Sequence, residues 1–341
     1  MKKYLLFCLS LVIAVNVYAQ TNKRVNIVNK NKTQSLVNHV KNKSDVDALL
    51  IAAGAGDLKK VRVLINKGGN VNTANKNGVT ALIKAAAHGN LEIVKLLLNK
   101  GANVNARTDF GATACMMAAL HGDNLEIISL LINRGANINA TDDDGAAALI
   151  VAAGNGNLKI VKLLLDKGAQ VDVAIKNGVT SLMQAAGNGD FKMTDLLISK
   201  GGNVNATTKG GATTLMSIAA QGNLEMAELL IDNGADVNTA NKDGTTALMF
   251  AVTNNKLDMV KLLIDSGANI NATVNDNGIT ALMFAAGRGN FDLVKLLVSN
   301  GADVNALGII GKQQLTAIAC AKHFKHWEIA NYLRAHGSKE R

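Results

Sequence analysis

The chain of 341 residues has no proline, and aromatic residues make up only 3% of it. A large compact core normally uses rings as bulky filler. Their scarcity argues against the two or three ordinary globular domains that the length alone would suggest. Hydrophobic residues still reach 48%. They are Leu, Ile, Val, Ala and Met spread evenly along the chain, which suits many small, similar layers. Without proline, no helix start is pre-set by a ring. Cysteine is scarce as well. Beyond Cys8 only Cys115 and Cys320 remain, too far apart in a stack of layers for a disulfide. Both read as small buried hydrophobes rather than a disulfide framework.

Acidic residues are missing from two places. Residues 20–44 hold six Lys or Arg and no acid, and residues 311–341 hold six against two. The body, 45–310, carries 22 basic and 24 acidic side chains, so the formal net charge of +10 sits at the ends. A nucleic-acid reader usually carries a basic stripe on its binding face. None is legible here, and no nucleic-acid partner is expected. No segment after residue 20 is apolar enough to span a bilayer.

The first nineteen residues form a leader. Lys2 and Lys3 precede an apolar run from Tyr4 to Val17, and Val17-Tyr18-Ala19 sets small residues before Gln20. This order is that of a bacterial secretory signal peptide cleaved after Ala19, the alternative being an uncleaved anchor. Cys8 lies too early in the apolar run for lipoprotein processing. The expected organisation is a signal peptide at 1–19, an Asn- and Lys-rich flexible leader at 20–44, and one repeat domain at 45–341. The mature protein would be periplasmic or secreted, without stable membrane insertion.

What is present is a repeat. Gly78, Gly111, Gly145, Gly178, Gly211, Gly244, Gly278 and Gly311 are spaced by 33 or 34 residues. The two extra residues fall near Asp123 and in Val274-Asn275-Asp276, both expected in turns. Each unit opens on a turn such as Asn77-Gly78, where glycine allows positive φ. Thr80-Ala81-Leu82 follows, with Thr placed to cap a helix. Paired alanines such as Ala85-Ala86 let neighbouring helices approach. A break such as Gly89-Asn90 reverses the chain into a more apolar second helix, Leu91 to Leu98. Gly101 ends that helix as a left-handed C′ residue. Nine helix pairs are expected. The ninth would start at Gly311, with a long inter-helix region from His323 to Trp327.

The period, the turn glycine, Thr-x-Leu, Ala-Ala and Gly-Ala-Asn-Val-Asn together resemble the ankyrin repeat family over about residues 45–337. The family's Thr-Pro-Leu-His appears here as Thr-Ala-Leu followed mostly by Met or Ile. The resemblance implies an all-α ankyrin-repeat solenoid of about nine stacked helix-turn-helix units joined by hairpin-like turns. It also implies a non-enzymatic scaffold that binds a partner protein through hairpin tips and a concave face. A structural or accessory role beside a periplasmic enzyme, and secretion as an effector acting on another cell, remain open at this point. The protein is expected to be monomeric and to need no cofactor.

No phosphate loop, Ser elbow or His-Glu-x-x-His motif is present. Asp142-Asp143-Asp144 lacks the ligand spacing of a calcium loop and reads as a hairpin tip. Cys320, His323 and His326 recur every three residues, and on a helix Cys320 and His323 would face the same way, so they read either as a metal site or as part of a terminal cap. Met116, Met183, Met216, Met249 and Met283 recur five residues after each turn glycine, as packing filler does.

Candidate binding residues come from the sixth position after each glycine, which varies: Lys84, Met117, Val151, Gln184, Ser217, Phe250, Phe284 and Ala317. By resemblance this register lies on the concave side. Phe250 and Phe284, roughly 10 Å apart in adjacent units, are either exposed anchors or inter-repeat packing. The tips Asp109, Phe110, Asp143, Lys176, Lys209, Lys242 and Asp276 would form a rim of mixed sign. The leader generates the first prediction. N-terminal sequencing of the native protein should start at Gln20, and an intact Met1 would exclude cleavage.

Overall fold

The computed structural model describes residues 44–310 and 313–339. The signal peptide, all but the last residue of the leader, Gly311 and the side chain of Asp276 lie outside the described residues. The chain is mostly helical, with a few short strands, and divides into two compact units. Among described residues, the unit holding 44–203 contains five helix pairs: α1 (Ser44–Ala55) with α2 (Leu58–Asn66), α3 (Ala81–Ala87) with α4 (Leu91–Asn99), α5 (Ala114–Ala118) with α6 (Leu125–Asn133), α7 (Ala148–Gly154) with α8 (Leu158–Asp166), and α9 (Ser181–Gly187) with α10 (Phe191–Ser199). The unit holding 204–339 contains four: α11 (Thr214–Gln221) with α12 (Leu224–Asp232), α13 (Ala247–Thr253) with α14 (Leu257–Asp265), α15 (Ala281–Arg288) with α16 (Phe291–Ser299), and α17 (Ala317–His323) with α18 (Trp327–Ala335).

Within a pair the two helices differ in kind. Every residue of α3 is buried, as expected of a helix apolar on all sides. Its start is set by Thr80, whose Oγ1 accepts from Ile83 N at 3.3 Å. Thr113, Thr180, Thr213, Thr246 and Thr316 cap in the same way. Thr280 does not, and its buried hydroxyl makes no hydrogen bond. The second helices are amphipathic. In α4, Ile93, Val94, Leu97 and Leu98 are buried while Glu92 is exposed. Gly101, at φ 83°, ends this helix, and Ala102 N donates back to Leu97 O at 3.0 Å.

Two asparagine series link neighbouring repeats within each unit. In the first, Asn72 Nδ2 donates to Gly101 O at 3.0 Å, and its Oδ1 accepts from Asn103 N at 2.6 Å. Asn105, Asn139, Asn205, Asn238, Asn271 and Asn305 repeat this two-way link one period on. In the second, the asparagines before α4, α6 and α8 reach back to the previous pair. Asn90 Nδ2 donates to Ala53 O at 2.7 Å, and Asn157 Nδ2 to Ala119 O at 2.9 Å. These amides satisfy carbonyls that short helices leave open at their ends.

The two insertions lie outside the α-helices. One forms the 3₁₀ turn Gly122–Asn124 before α6. The other forms the 3₁₀ turn Asn275–Asn277 between β1 (Thr273–Val274) and β2 (Ile279–Thr280), which pair antiparallel. The last repeat departs from the expected register. Its cap is Thr316, because an antiparallel hairpin of β3 (Gly308–Ile310) and β4 (Gln313–Leu315) lengthens the entry. The irregularity therefore precedes α17, and the turn from His323 to Trp327 has ordinary length. Lys325, at φ 63°, stands there where Gly289 stands one repeat earlier. Cys320, not Ala317, holds the variable register.

Asp172 is the one departure in the first asparagine series. Its Oδ1 accepts from Asn203 N at 2.8 Å, but a carboxylate has no N–H to give to Gly201 O. Asp172→Asn should supply that bond and raise stability by roughly 0.5–1 kcal/mol. Urea titration checks it, and no gain would show that the second bond contributes nothing here.

Candidate protein-binding face

The hairpin tips are held by main-chain hydrogen bonds that run from one repeat to the next. Asp109 N donates to Asn77 O at 3.0 Å, Asp143 N to Phe110 O at 2.9 Å, and Lys176 N to Asp144 O at 2.7 Å. In the second unit Lys242 N donates to Gly210 O at 2.9 Å. Glycine is required at these turns for space as well as conformation. A Cβ on Gly78, which has φ +73°, would come within 2.8 Å of Asp109 N. The backbone of one tip is thus seated on the glycine of the tip before it.

This seating leaves the tip side chains outward. Asp109, Phe110, Asp143, Lys176, Lys209 and Lys242 are all exposed. Phe110 shows 49% of its surface. Asp142 explains the aspartate run. Its Oδ1 accepts from Asp144 N at 2.9 Å and from Ala146 N at 2.8 Å, closing the turn as Asn241 does for Asp243 and Thr245. Asp276 falls in the turn Asn275–Asn277.

The variable register is a different matter. Lys84, Met117, Val151, Gln184, Ser217, Phe250 and Phe284 are all buried. Phe250 is 7% exposed and Phe284 5%. The register is therefore core and not an exposed face, and of the two readings of Phe250 and Phe284 their burial fits inter-repeat packing. The hypothetical Cβ of Gly54, on α1, would touch Lys84, and that of Gly287, on α15, would touch Cys320. At those two positions the facing glycine leaves room for the side chain. Burial also lowers the Lys84 pKa from its ordinary value. Gln184 keeps a buried Oε1 without a hydrogen bond.

Four residues further on, at the ends of the first helices, lies a polar row that is exposed or half-buried. It comprises His88, His121, Asn155 and Asn188 in one unit, and Gln221, Asn254 and Arg288 in the other. His88 Nδ1 bonds Lys84 O at 2.9 Å, Asn155 Nδ2 donates to Val151 O at 2.7 Å, and Asn254 Nδ2 to Phe250 O at 2.8 Å. Each closes its own helix with a nitrogen. In the asparagines the side-chain oxygen stays available to a partner's donor. Sequence reasoning missed this row. Its signal was a register that varies while staying polar from His88 to Arg288, though Ala55 and Phe324 stand there in the terminal repeats.

The methionines Met116, Met183, Met216, Met249 and Met283 are core residues. Cys115 and Cys320 are free and buried, and burial pushes the Cys115 thiol up to about 12. His326 lies stacked against Phe324. Among the described residues no cluster of three His, Cys, Asp or Glu side chains could hold a metal, and no helix is long and apolar enough to cross a membrane.

These features define a stacked helix-turn-helix repeat protein whose variable polar side chains sit on turns and helix ends. A family model described as ankyrin repeats in three copies matches residues 15–108, 102–177 and 182–274, and one described as ankyrin repeats in many copies matches 252–298. The chain belongs to the ankyrin repeat family, whose repeats are generally protein–protein interaction modules. No curated protein matches it.

The burial of the two rings carries a prediction. Phe250→Ala should cost about 3–5 kcal/mol, the range for emptying a packed aromatic site. A thermal melt reads it, and a loss below about 1 kcal/mol would place the ring outside the core.

Proposed function

We propose that this protein is a non-enzymatic scaffold, exported behind residues 1–19, that recognises a partner protein through its hairpin tips and the ends of its first helices. The observation that carries the reading is the fixed, outward row of tips. Their backbones are bonded to one another, so little conformational entropy is lost when a partner docks. Their side chains differ from repeat to repeat, which is what selecting one partner needs. Lys76, Asp109, Asp143 and Lys176 set alternating blocks of charge in one unit, and Lys209 and Lys242 a basic pair in the other. Phe110 supplies an exposed ring of the kind that anchors interfaces. The polar helix ends beside the tips add acceptors. Charge of mixed sign favours a protein surface of complementary pattern over a uniformly charged polymer. The charged, apolar and small-residue order of residues 1–19 supports an encounter in the periplasm or outside the cell.

Affinity capture from a periplasmic extract should yield the partner. Calorimetry with that partner should then show Asp143→Lys combined with Lys176→Glu weakening binding by more than about 1 kcal/mol. Phe110→Ala should weaken it as well. Stability should move by less than about 0.5 kcal/mol, since the sites are exposed. Unchanged affinity in all these variants would place the binding face elsewhere.

A further inference from the structure

The two ends of the repeat array differ in how they are finished. Helix α17 replaces two inter-repeat core positions. Ala319 stands where Met283 and its equivalents stand, and Lys322 where Ala286 stands. Both are half-buried. The face beyond the last repeat is therefore small and polar, as a terminal cap requires. The first repeat has no such change. Ile51, on α1, occupies the register of Lys84, Met117, Val151, Gln184, Ser217, Phe250, Phe284 and Cys320. Those eight are at most 8% exposed, whereas Ile51 is 45% exposed. Val63, on α2, is 50% exposed; its equivalents Leu96, Leu130 and Leu163 are half-buried. This register, buried in the later repeats, is apolar in the first repeat and has nothing described against it.

We infer that residues 20–43 cover this face as a partial repeat, with Val25, Ile27 and Val28 against α2 around Val63. Three observations choose this segment. It is joined directly to α1, so its closure onto that face costs little chain entropy. Val25, Ile27 and Val28 fall two periods before Leu91, Ile93 and Val94, and one period before Leu58 and Val61. Ile93, Val94 and Val61 are buried helix positions. The ankyrin match itself begins at residue 15, ahead of the first described helix pair. The six positive charges among these residues would then form the solvent side of a terminal layer, the role that Lys322 and Lys325 have at the other end.

The test uses the chain with residues 20–43 retained. Val63→Cys and, as an exposed reference, Lys76→Cys are made separately, and alkylation at each site is followed by peptide mass spectrometry. Thiol reaction follows access, so Val63→Cys should react at least ~10-fold more slowly than Lys76→Cys through opening of the covering layer. Adding Val25→Asp, Ile27→Asp and Val28→Asp should bring the Val63→Cys rate close to that of Lys76→Cys. Reaction at Val63→Cys as fast as at the tip in the parent chain overturns the inference. Slow reaction unmoved by the three aspartates overturns it too. Protection that grows with protein concentration would assign the face to a second copy, and so would also overturn it.

Discussion

No helix pair in this chain can bury its own apolar surface, and the neighbouring pair does it instead. Seven residues make two turns of helix, too few to be stable alone in water. Yet α3 is buried at every position. Its partner α4 covers one side, and the pairs before and after cover the rest. Every recurring residue answers to that requirement. Ala85 and Ala86 let helices approach. Gly78 lets the next tip sit on it. The asparagines bond carbonyls that would otherwise be buried without partners. Each feature recurs at one register because it must meet its own copy one period later, within each compact unit.

The same requirement separates the core from the surface available for recognition. Where a residue lies between repeats, its chemistry is limited to what packs. Phe250, Gln184 and Lys84 share such a register and are all buried. Where a residue lies at a tip or at the end of a first helix, the neighbour constrains only its backbone. The side chain is then free to differ in charge and shape, as Asp143, Lys176, His88 and Arg288 do. Protein recognition built this way leaves the stacking contacts untouched.

The ends of the array show what a repeat loses without a neighbour. At the last pair, Thr316 and Lys322 adapt the pattern: a lengthened hairpin before the cap and a charge in a core position. At the first pair, Ile51 and Val63 retain apolar character on a face without a described repeat before it.

Much of this was legible in the sequence. The turn glycines, the threonine caps, the helix breaks and the two insertions are local matters, and local backbone preference writes them into composition and spacing. The amphipathic second helices were legible too, because one face meets water. The tertiary structure alone decided three things. It decided that the variable register is buried, that the asparagines link repeats, and that Cys320 rather than Ala317 continues the register in the last pair. The asparagine links join turns a full repeat apart, the shift to Cys320 follows from the lengthened β3–β4 entry, and the buried register has its own reason. In a helix buried on every side, periodicity cannot tell which neighbour a residue meets, because that neighbour lies about a full repeat away along the chain and only stacking brings the two together.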